Sequence, residues 1–398
     1  MSRFFLLPIA IALFVLAHWY IWARLARDTG LPPALALLAR YTIIALAIAV
    51  PASFLLARLA HVAVPKPLVW VVFTWMGMML LLLTLLAIGD LGRFALLRGV
   101  HLWTGAPVDA ERRRLLGRAL GGATALVGGS LGVLAFLRAR AKVAVTDVQV
   151  ELARLPAALD GTTIVQISDI HFGPTIGREF AEQLVATINP LHPDVIAITG
   201  DLVDGTVEEL RELVAPFAKL RARHGVYFVT GNHEYYVSID GSSGANEWVA
   251  ELERLGIRTL RNERVQLGHV NGVDSFDLAG IDDWNAHGGG HGPDLAGALE
   301  GRDVSRACVL LAHQPRAAIE AAKHGVCLQL SGHTHGGQIW PWMYFVRLQQ
   351  PFVAGLDRIG DTHVYTSRGT GYWGPPMRLG APAEITRIVL RSSSRQAA

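Results

Sequence analysis

The pattern of hydrophobic and polar residues divides the chain into two parts of different character. Four long apolar stretches lie in the first third, at about residues 4–23, 35–59, 68–89 and 119–137. Each is long enough for an α-helix to cross about 30 Å of hydrocarbon. We therefore predict an all-α membrane region with four transmembrane helices over residues 1–142, followed by a globular domain over residues 146–398.

The second part alternates short apolar runs with helix-like stretches. The runs, which we predict as strands, lie at residues 163–167, 195–199, 226–230, 276–280, 308–312, 327–330, 363–366 and 385–390. The helix-like segments lie at residues 177–188, 207–223, 246–255 and 316–324. This alternation is typical of an α/β fold. The later runs have fewer helices between them, which predicts a second sheet with antiparallel pairing.

Polar residues that can bind metal lie immediately after five of these predicted strands. In chain order they are Asp169 and His171, Asp201, Asn232 and His233, His313, and His333 and His335. In an open α/β sheet, ligands bind at the carboxyl ends of the strands. One such histidine alone is more often a structural residue. Five strands that deliver Asp, Asn and His to the same rim instead predict a site.

The types of donor atom indicate which ions this site would bind. Imidazole and carboxylate groups without a thiolate suit Mn, Fe, Zn or Co rather than a structural zinc. Seven ligands are too many for one ion and suit two. Two divalent ions that share a carboxylate can hold both the attacking and the leaving oxygen at phosphorus, and a hydroxide between them is a nucleophile at neutral pH.

Five short motifs resemble those of the calcineurin-like metallophosphoesterases. They are Asp169-Ile170-His171, Gly200-Asp201, Gly231-Asn232-His233-Glu234, His313 and Gly332-His333-Thr334-His335. The resemblance covers about residues 162–390. With its apolar N-terminal region the chain is most similar to the membrane-bound bacterial branch, which includes twin-arginine-exported phosphodiesterases and resembles UDP-diacylglucosamine hydrolases. This resemblance implies a four-layer α/β/β/α sandwich.

The resemblance also implies a role for each residue. One metal would take Asp169, His171, Asp201 and His335. The other would take Asp201, Asn232, His313 and His333, so that Asp201 is the bridge. His233 would not bind metal but would act as general acid or stabilise charge on the phosphoryl group. Asp204 is expected to orient His233 or a ligand, and Glu234 has either that role or a surface one.

Three further features have two interpretations each. Arg368, Tyr372, Trp373 and Arg378 lie in a Gly- and Pro-rich segment that is either a substrate loop, with an Arg at a phosphate oxygen, or a structural loop. We predict core packing for Trp340, Trp342, Tyr344 and Phe345, with lipid contact as the alternative. We predict buried strand thiols for Cys308 and Cys327, with a disulfide as the alternative.

The distribution of Lys and Arg predicts the membrane topology. Nine of them lie in or near the connections between spans one and two and between spans three and four, against six on the other side. The connections that carry the larger set are expected to lie in the cytoplasm. With four spans, both ends of the chain are then predicted to lie on the outer side of the bacterial cytoplasmic membrane. The segment Glu111–Leu116 resembles a twin-arginine signal, or is a plain positive-inside anchor.

Taken together, these features predict a membrane-anchored, binuclear-metal phosphoesterase. It would hydrolyse a phosphodiester or a related phosphate ester by attack of metal-bound hydroxide. The alternatives are a pyrophosphohydrolase of a lipid precursor such as UDP-diacylglucosamine, at the cytoplasmic face, or a non-catalytic membrane binding module. The expected partners are membrane lipid and a phosphate-ester substrate. In the pyrophosphohydrolase alternative that substrate is linked to a lipid. The net charge is only +3 and no basic run is interleaved with aromatics, so we expect no nucleic-acid partner, and we predict no protein partner.

Overall fold

The computed structural model describes residues 3–59, 64–105, 109–236, 244–268, 274–289 and 291–393, with only the backbone at 3–6, 57–59, 110 and 287–289. The last five residues of the predicted domain, 394–398, lie outside this set. The chain forms two compact units. One ends at Arg140 and also includes Gly374–Leu379, and the other contains Ala141–Trp373 and continues from Gly380.

The first unit is all helical, as predicted. Its helices are α1 (Arg3–Trp22), α2 (Pro33–Leu59), α3 (Lys66–Thr104) and α4 (Ala110–Ala139), with a π-helical turn at Ala23–Arg27. All four are long and apolar enough to cross a membrane. Helix α3 ends at Thr104, well past the end of the predicted span at residue 89.

Small residues and one polar cluster hold these helices together. A Cβ atom on Gly128 of α4 would lie 2.9 Å from Cδ2 of Leu82, so glycine there lets α3 and α4 approach closely. Elsewhere in the unit, the Tyr20 hydroxyl donates to the Asp90 carboxylate at 2.6 Å, and Arg24 Nε lies 2.8 Å from the same carboxylate. The cluster therefore joins α1 and its terminal turn to α3.

The second unit contains two six-stranded sheets. The first has the order β1-β12-β2-β3-β4-β5 and the second has the order β10-β11-β9-β8-β7-β6. The strands of the first sheet are β1 (Ala144–Leu152), β2 (Thr163–Ile167), β3 (Val195–Thr199), β4 (Val226–Val229), β5 (Ile257–Thr259) and β12 (Glu384–Ser392). Those of the second are β6 (Glu263–Gly268), β7 (Ser275–Gly280), β8 (Cys308–Leu311), β9 (Leu328–Ser331), β10 (Gly355–Ile359) and β11 (Thr362–Thr366).

The second sheet is mixed, and the prediction of antiparallel pairing is wrong for its centre. Strands β7, β8, β9 and β11 are parallel neighbours, whereas only β6 with β7 and β10 with β11 are antiparallel. Short helices make the parallel crossovers: α8 (Leu295–Ala298) lies between β7 and β8, and α9 (Ala318–Lys323) between β8 and β9. Helices this short leave too weak a periodic pattern for the sequence to reveal them all.

The apolar core lies between the two sheets and continues outside the second. Between the sheets, residues such as Val195 of β3 and Val309 of β8 belong to one buried cluster. A separate cluster packs Leu295 of α8 and Ala321 of α9 onto Leu310 of β8. The longer helices of this unit are α5 (Arg178–Ile188), α6 (Val207–Val214) and α7 (Ala245–Arg254), each with one buried apolar face. This is the predicted α/β/β/α fold class.

Two of the open interpretations are resolved by burial. Cys308 and Cys327 are both buried, free thiols. By contrast, the core packing predicted for the aromatic residues after the last motif is wrong for three of the four, whereas Trp340 is half-buried. Trp342, Tyr344 and Phe345 lie on or beside the one-turn helix α10 (Met343–Val346) and are 50%, 61% and 51% exposed. The segment lies in the connection from β9 to β10, where no sheet face covers it.

Candidate metal centre

The predicted ligands meet where the strands of both sheets end. Strands β2, β3 and β4 of the first sheet and β8 and β9 of the second are each followed by ligand residues within a few positions. Six of the seven predicted ligands are buried, namely Asp169, His171, Asp201, Asn232, His313 and His335. His333 is half-buried. The structure therefore brings all seven into one centre at the joint edge of the sheets.

The backbone at this edge turns sharply. Asp169, His171, Asp201, His333 and His335 all have positive φ, between 51° and 72°. The left-handed conformation is unfavourable for residues with a Cβ atom by about 1–2 kcal/mol each. Such strain persists only where surrounding contacts hold it, and it is typical of functional sites. Here the tight turns aim successive side chains back into the centre.

The first group of ligand atoms comes from Asp169, His171 and His335. The Nε2 atoms of His171 and His335 lie 3.1 Å apart, and His335 Nε2 is 3.6 Å from Asp169 Oδ1. The other oxygen of Asp169 is buried and has no hydrogen-bond partner among the described residues. An unpaired buried carboxylate oxygen is costly unless a cation neutralises it.

The second group comes from Asp201, Asn232, His313 and His333. The His313 Nε2 atom lies 3.2 Å from Asp201 Oδ2 and 3.2 Å from Asn232 Oδ1. His333 Nδ1 is 2.8 Å from the same Asn232 oxygen. Asp201 Oδ2 also lies 3.8 Å from His171 Nε2, so one carboxylate oxygen faces both groups.

Hydrogen bonds outside the centre fix the orientation of the ligand histidines. His313 Nδ1 donates to the Thr199 carbonyl at 2.7 Å, and His171 Nδ1 donates to Asp204 Oδ1 at 3.0 Å. The Nε2 atom of each ring therefore points into the centre. Burial lowers the pKa of His313, but the Asp201 charge raises it well above its usual value, so an ion bound there would displace the Nε2 proton. Burial, followed by the nearby His313, lowers the pKa of His333 to about 3, which keeps that ring neutral.

These donors fit divalent ions. Imidazole nitrogens and carboxylate or amide oxygens converge without a thiolate, and the unpaired oxygen of Asp169 lies among them. Burial raises the pKa of Asp201, but the nearby His313 and His233 outweigh it and hold this pKa well below its usual range. Asp201 is therefore a carboxylate at neutral pH, as a ligand must be.

His233 stands beside the ligands, held by Asp204. Its Nδ1 atom lies 2.6 Å from Asp204 Oδ1, the oxygen that also accepts from His171. Burial lowers the pKa of His233, but the Asp201 charge and the Asp204 hydrogen bond raise it to about 9. The exposed rings of Tyr236 and Trp373 flank His233, with centroids 5.1 and 5.4 Å away. His233 therefore faces the open side of the centre.

Glu234 has a structural role that the sequence left open. Its carboxylate is buried and accepts backbone N–H groups from Gly231 at 2.6 Å, Leu202 at 2.7 Å and Asp201 at 3.2 Å. It thereby joins the turn after β4 to the turn after β3. A surface role for Glu234 is excluded by this burial.

The three predicted substrate residues have structural partners. Arg368 Nη1 lies 2.7 Å from Glu384 Oε2, and the Tyr372 hydroxyl donates to the Thr175 carbonyl at 3.2 Å. Arg378 is buried in the helical unit, where its backbone N–H donates to the Ala135 carbonyl. Their neighbour Trp373 is the residue of that segment that contacts His233.

Comparison with known proteins agrees with the site. The family model described as calcineurin-like phosphoesterase matches residues 162–337. The uncharacterized metallophosphoesterase YkuE of Bacillus subtilis is 30% identical over 282 residues, which are 69% of this chain and 95% of that protein. The chain belongs to the calcineurin-like phosphoesterases. Members of this family typically bind a dinuclear metal centre, which agrees with the clustered ligand atoms, to which His233 also lies close through His171 and Asp201.

Other calcineurin-like phosphoesterases similar to this one are named as transmembrane proteins. The transmembrane protein with metallophosphoesterase domain of Bos taurus is 46% identical over 273 residues, 66% of this chain and 60% of that protein. The protein of the same name in Danio rerio is 40% identical over 271 residues, 66% of this chain and 61% of that protein. The chain thus spans about three-fifths of the length of these two relatives. With the four apolar helices, these names indicate membrane association.

Proposed function

We propose that this protein is a membrane-attached, binuclear-metal-dependent hydrolase of phosphodiesters or related phosphate esters. The observation that carries the proposal is the shared position of Asp201. One of its oxygens lies 3.2 Å from His313 in one ligand group and 3.8 Å from His171 in the other. A carboxylate in that position can bridge two ions, each completed by the residues of its own group.

The two ions would supply Lewis acidity and lower the pKa of a water molecule, which activates it to attack phosphorus. The residues of the chain do the rest. The buried ligands would hold the two ions, and His233 lies beside them. As water adds to phosphorus, the bond to the leaving oxygen breaks, and that oxygen needs a proton. His233 gives this proton through Nε2, because Nδ1 is engaged by Asp204.

The first test of the proposal is Asp201→Asn in the full-length protein. We expect loss of bound metal, measured by elemental analysis, and of nearly all turnover of bis(4-nitrophenyl) phosphate. The matched control is Asp147→Asn, which removes a carboxylate paired with Arg387 on the surface and should change neither. If Asp201→Asn keeps its metal and its turnover, the bridging role is wrong.

The rival from another class is a membrane binding module that keeps the fold without catalysis. All seven predicted ligands are present and face one another, which favours an enzyme. Purified wild-type protein that binds divalent metal but hydrolyses no diester, monoester or pyrophosphate probe would favour the rival. The same panel separates a diesterase from a pyrophosphohydrolase of a lipid precursor.

A further inference from the structure

A cavity of about 630 Å³ lies next to the metal centre, within the second unit. Its wall includes Ala312, His313 and Gln314, so the strand end that carries a metal ligand also borders the cavity. The rest of the lining combines acidic and other polar residues with aliphatic ones such as Ile281, Leu295, Ala296, Ala317 and Ile319, and the surface that faces the cavity is mostly apolar. A cavity of this size can hold a substantial part of a small ligand.

The polar side chains in the wall are already used by the protein. Asp282 pairs with Arg261 at 2.9 Å, and Asp283 accepts from Gln314 Nε2 at 3.0 Å. The remaining acids have partners too: Asp294 accepts the Gly297 N–H, and Glu320 pairs with Lys323. A polar ring system such as a nucleobase would find few groups for its edges, whereas an apolar chain needs none.

Arg316, which also lines the cavity and is three residues after His313, keeps one donor unused. Its Nη2 donates to the Gln349 carbonyl at 2.8 Å, and its guanidinium lies 6.0 Å from the Trp284 ring. Its Nε is buried with no hydrogen-bond partner among the described residues. An acceptor oxygen on a ligand that passes from the centre into the cavity would satisfy this donor.

Two apolar residues of the cavity lining are exposed. Trp284 and Ile319 are 54% and 49% exposed. Gln349 and Pro351 also line the cavity, and in the chain they follow the exposed residues Trp342, Phe345 and Leu348. Clustered exposed apolar residues are typical of surfaces that contact lipid or another apolar partner. The same chain carries four helices apolar enough to cross a membrane.

We infer that the cavity is a subsite for an aliphatic chain of the substrate, which is therefore a lipid-like phosphate ester. Its phosphoryl group would lie at the metal centre and its chain in the cavity, with an ester oxygen near Arg316. This inference rests on the proposed function for its chemistry. It adds the substrate class and the place where that class is recognised.

The test uses full-length protein in nanodiscs and alkyl 4-nitrophenyl phosphates with methyl, butyl or octyl groups. In the wild type we expect kcat/KM for the octyl ester to exceed that for the methyl ester by about tenfold or more, since burial of each added methylene favours binding. Ala296→Trp places a large side chain at a position that lines the cavity and should lower this ratio severalfold. Ala296→Leu is smaller and should give an intermediate ratio, which guards against misfolding of the larger variant.

The matched control is Ala186→Trp, at an exposed position of α5 that does not line the cavity. It should keep the wild-type ratio, and so separates binding in the cavity from partition of long chains into the nanodisc. A wild-type ratio near one, with the methyl ester hydrolysed, would overturn the subsite and leave the proposed function intact. A high ratio that Ala296→Trp does not reduce would also overturn it.

Binding without turnover distinguishes the two proposals. Octylphosphonate should bind the wild type at least tenfold more tightly than methylphosphonate by calorimetry, and Ala296→Trp should reduce the difference severalfold. If this holds while no ester is hydrolysed, the subsite stands and the hydrolase proposal falls. Equal affinities for the two phosphonates would contradict the subsite whatever the turnover.

Discussion

At the scale of single residues, the carboxylate of Asp204 connects the metal ligands to the proposed proton donor. One oxygen accepts from His171 at 3.0 Å and lies 2.6 Å from His233 Nδ1. Burial raises the pKa of Asp204, but its interactions with His171 and His233 outweigh this and lower it. A change at Asp204 should therefore disturb both metal binding and proton transfer, whereas a change at His233 should affect mainly the latter.

For His233→Asn we expect a loss in kcat of about 10²–10⁴-fold on diesters with alkyl leaving groups, because an alkoxide needs a proton as it leaves. With 4-nitrophenolate as leaving group the loss should be much smaller, and bound metal should be unchanged. Steady-state rates on the two substrates and elemental analysis check this. Equal losses on both would mean that His233 stabilises charge instead of donating a proton.

Asp204→Asn should reduce activity less selectively. We expect a loss of about 10–100-fold in metal affinity, as is common when the partner of a ligand histidine is removed, with lower turnover on both leaving groups. Titration of metal-stripped protein with Mn²⁺, followed by activity, measures this. Unchanged metal affinity would show that the hydrogen bond to His171 does not position that ligand.

At the scale of elements, the turns after the strands depend on glycine for space as well as for conformation. Gly200, between β3 and Asp201, has φ 85°, and a Cβ atom there would lie 2.6 Å from the Gly231 nitrogen and 2.7 Å from His313 Nδ1. Gly256, before β5, has φ 82°, but its Cβ would meet nothing within 4 Å. The two positions share the backbone strain and differ in the crowding.

Gly200→Ala should therefore lose most metal binding and activity, since the turn after β3 must move away from His313. Gly256→Ala should keep both and be less stable by about 1–2 kcal/mol, the strain of a left-handed residue with a Cβ atom. Metal content, turnover and thermal unfolding of the two variants make the comparison. Similar loss of metal in both would point to strain, not crowding, as the cause.

The elements also show which parts of the fold were predictable. The bounds predicted for β2 and β3 match the structure, because both are interior strands whose short, mainly apolar runs are almost wholly buried and are bounded by polar residues or glycine. The missed strands, β1, β5, β6 and β10, are the four edges of the two sheets. Edge strands carry charged and exposed residues, as in Gly355–Ile359, and their sequence resembles a loop.

The same reasoning applies to the site. The seven predicted ligands were visible because each follows a strand within a few residues. Tyr236 was missed, although it lies only two residues after the third motif, because nothing in the sequence marks it as exposed. The cavity was missed because its walls come from segments far apart in the chain, and only the fold brings Ile281, Leu295 and Arg316 together.

At the scale of the whole molecule, we propose that the catalytic unit faces the extracytoplasmic side of a bacterial membrane. A reporter that is active only outside the cytoplasm should be active when fused after Ala398. The matched fusion after Gly105, at the end of α3, should be silent, because three spans bring that position to the cytoplasmic side. The opposite pattern would place the domain in the cytoplasm, where a lipid-precursor pyrophosphohydrolase would work.

The position of β12 has a consequence for how the protein is made. This strand lies between β1 and β2, and Asp147 of β1 pairs with Arg387 of β12, 240 residues later. At about 5–20 residues per second, the ribosome needs roughly 10–50 s to make the intervening chain. Throughout that interval β1 has no neighbour and the edge of β2 is open, so both can pair wrongly with other chains. Strand β1, the first to be synthesised, is thus the last to find its partner strand. Until β12 emerges, the nascent domain must be kept from pairing with other chains.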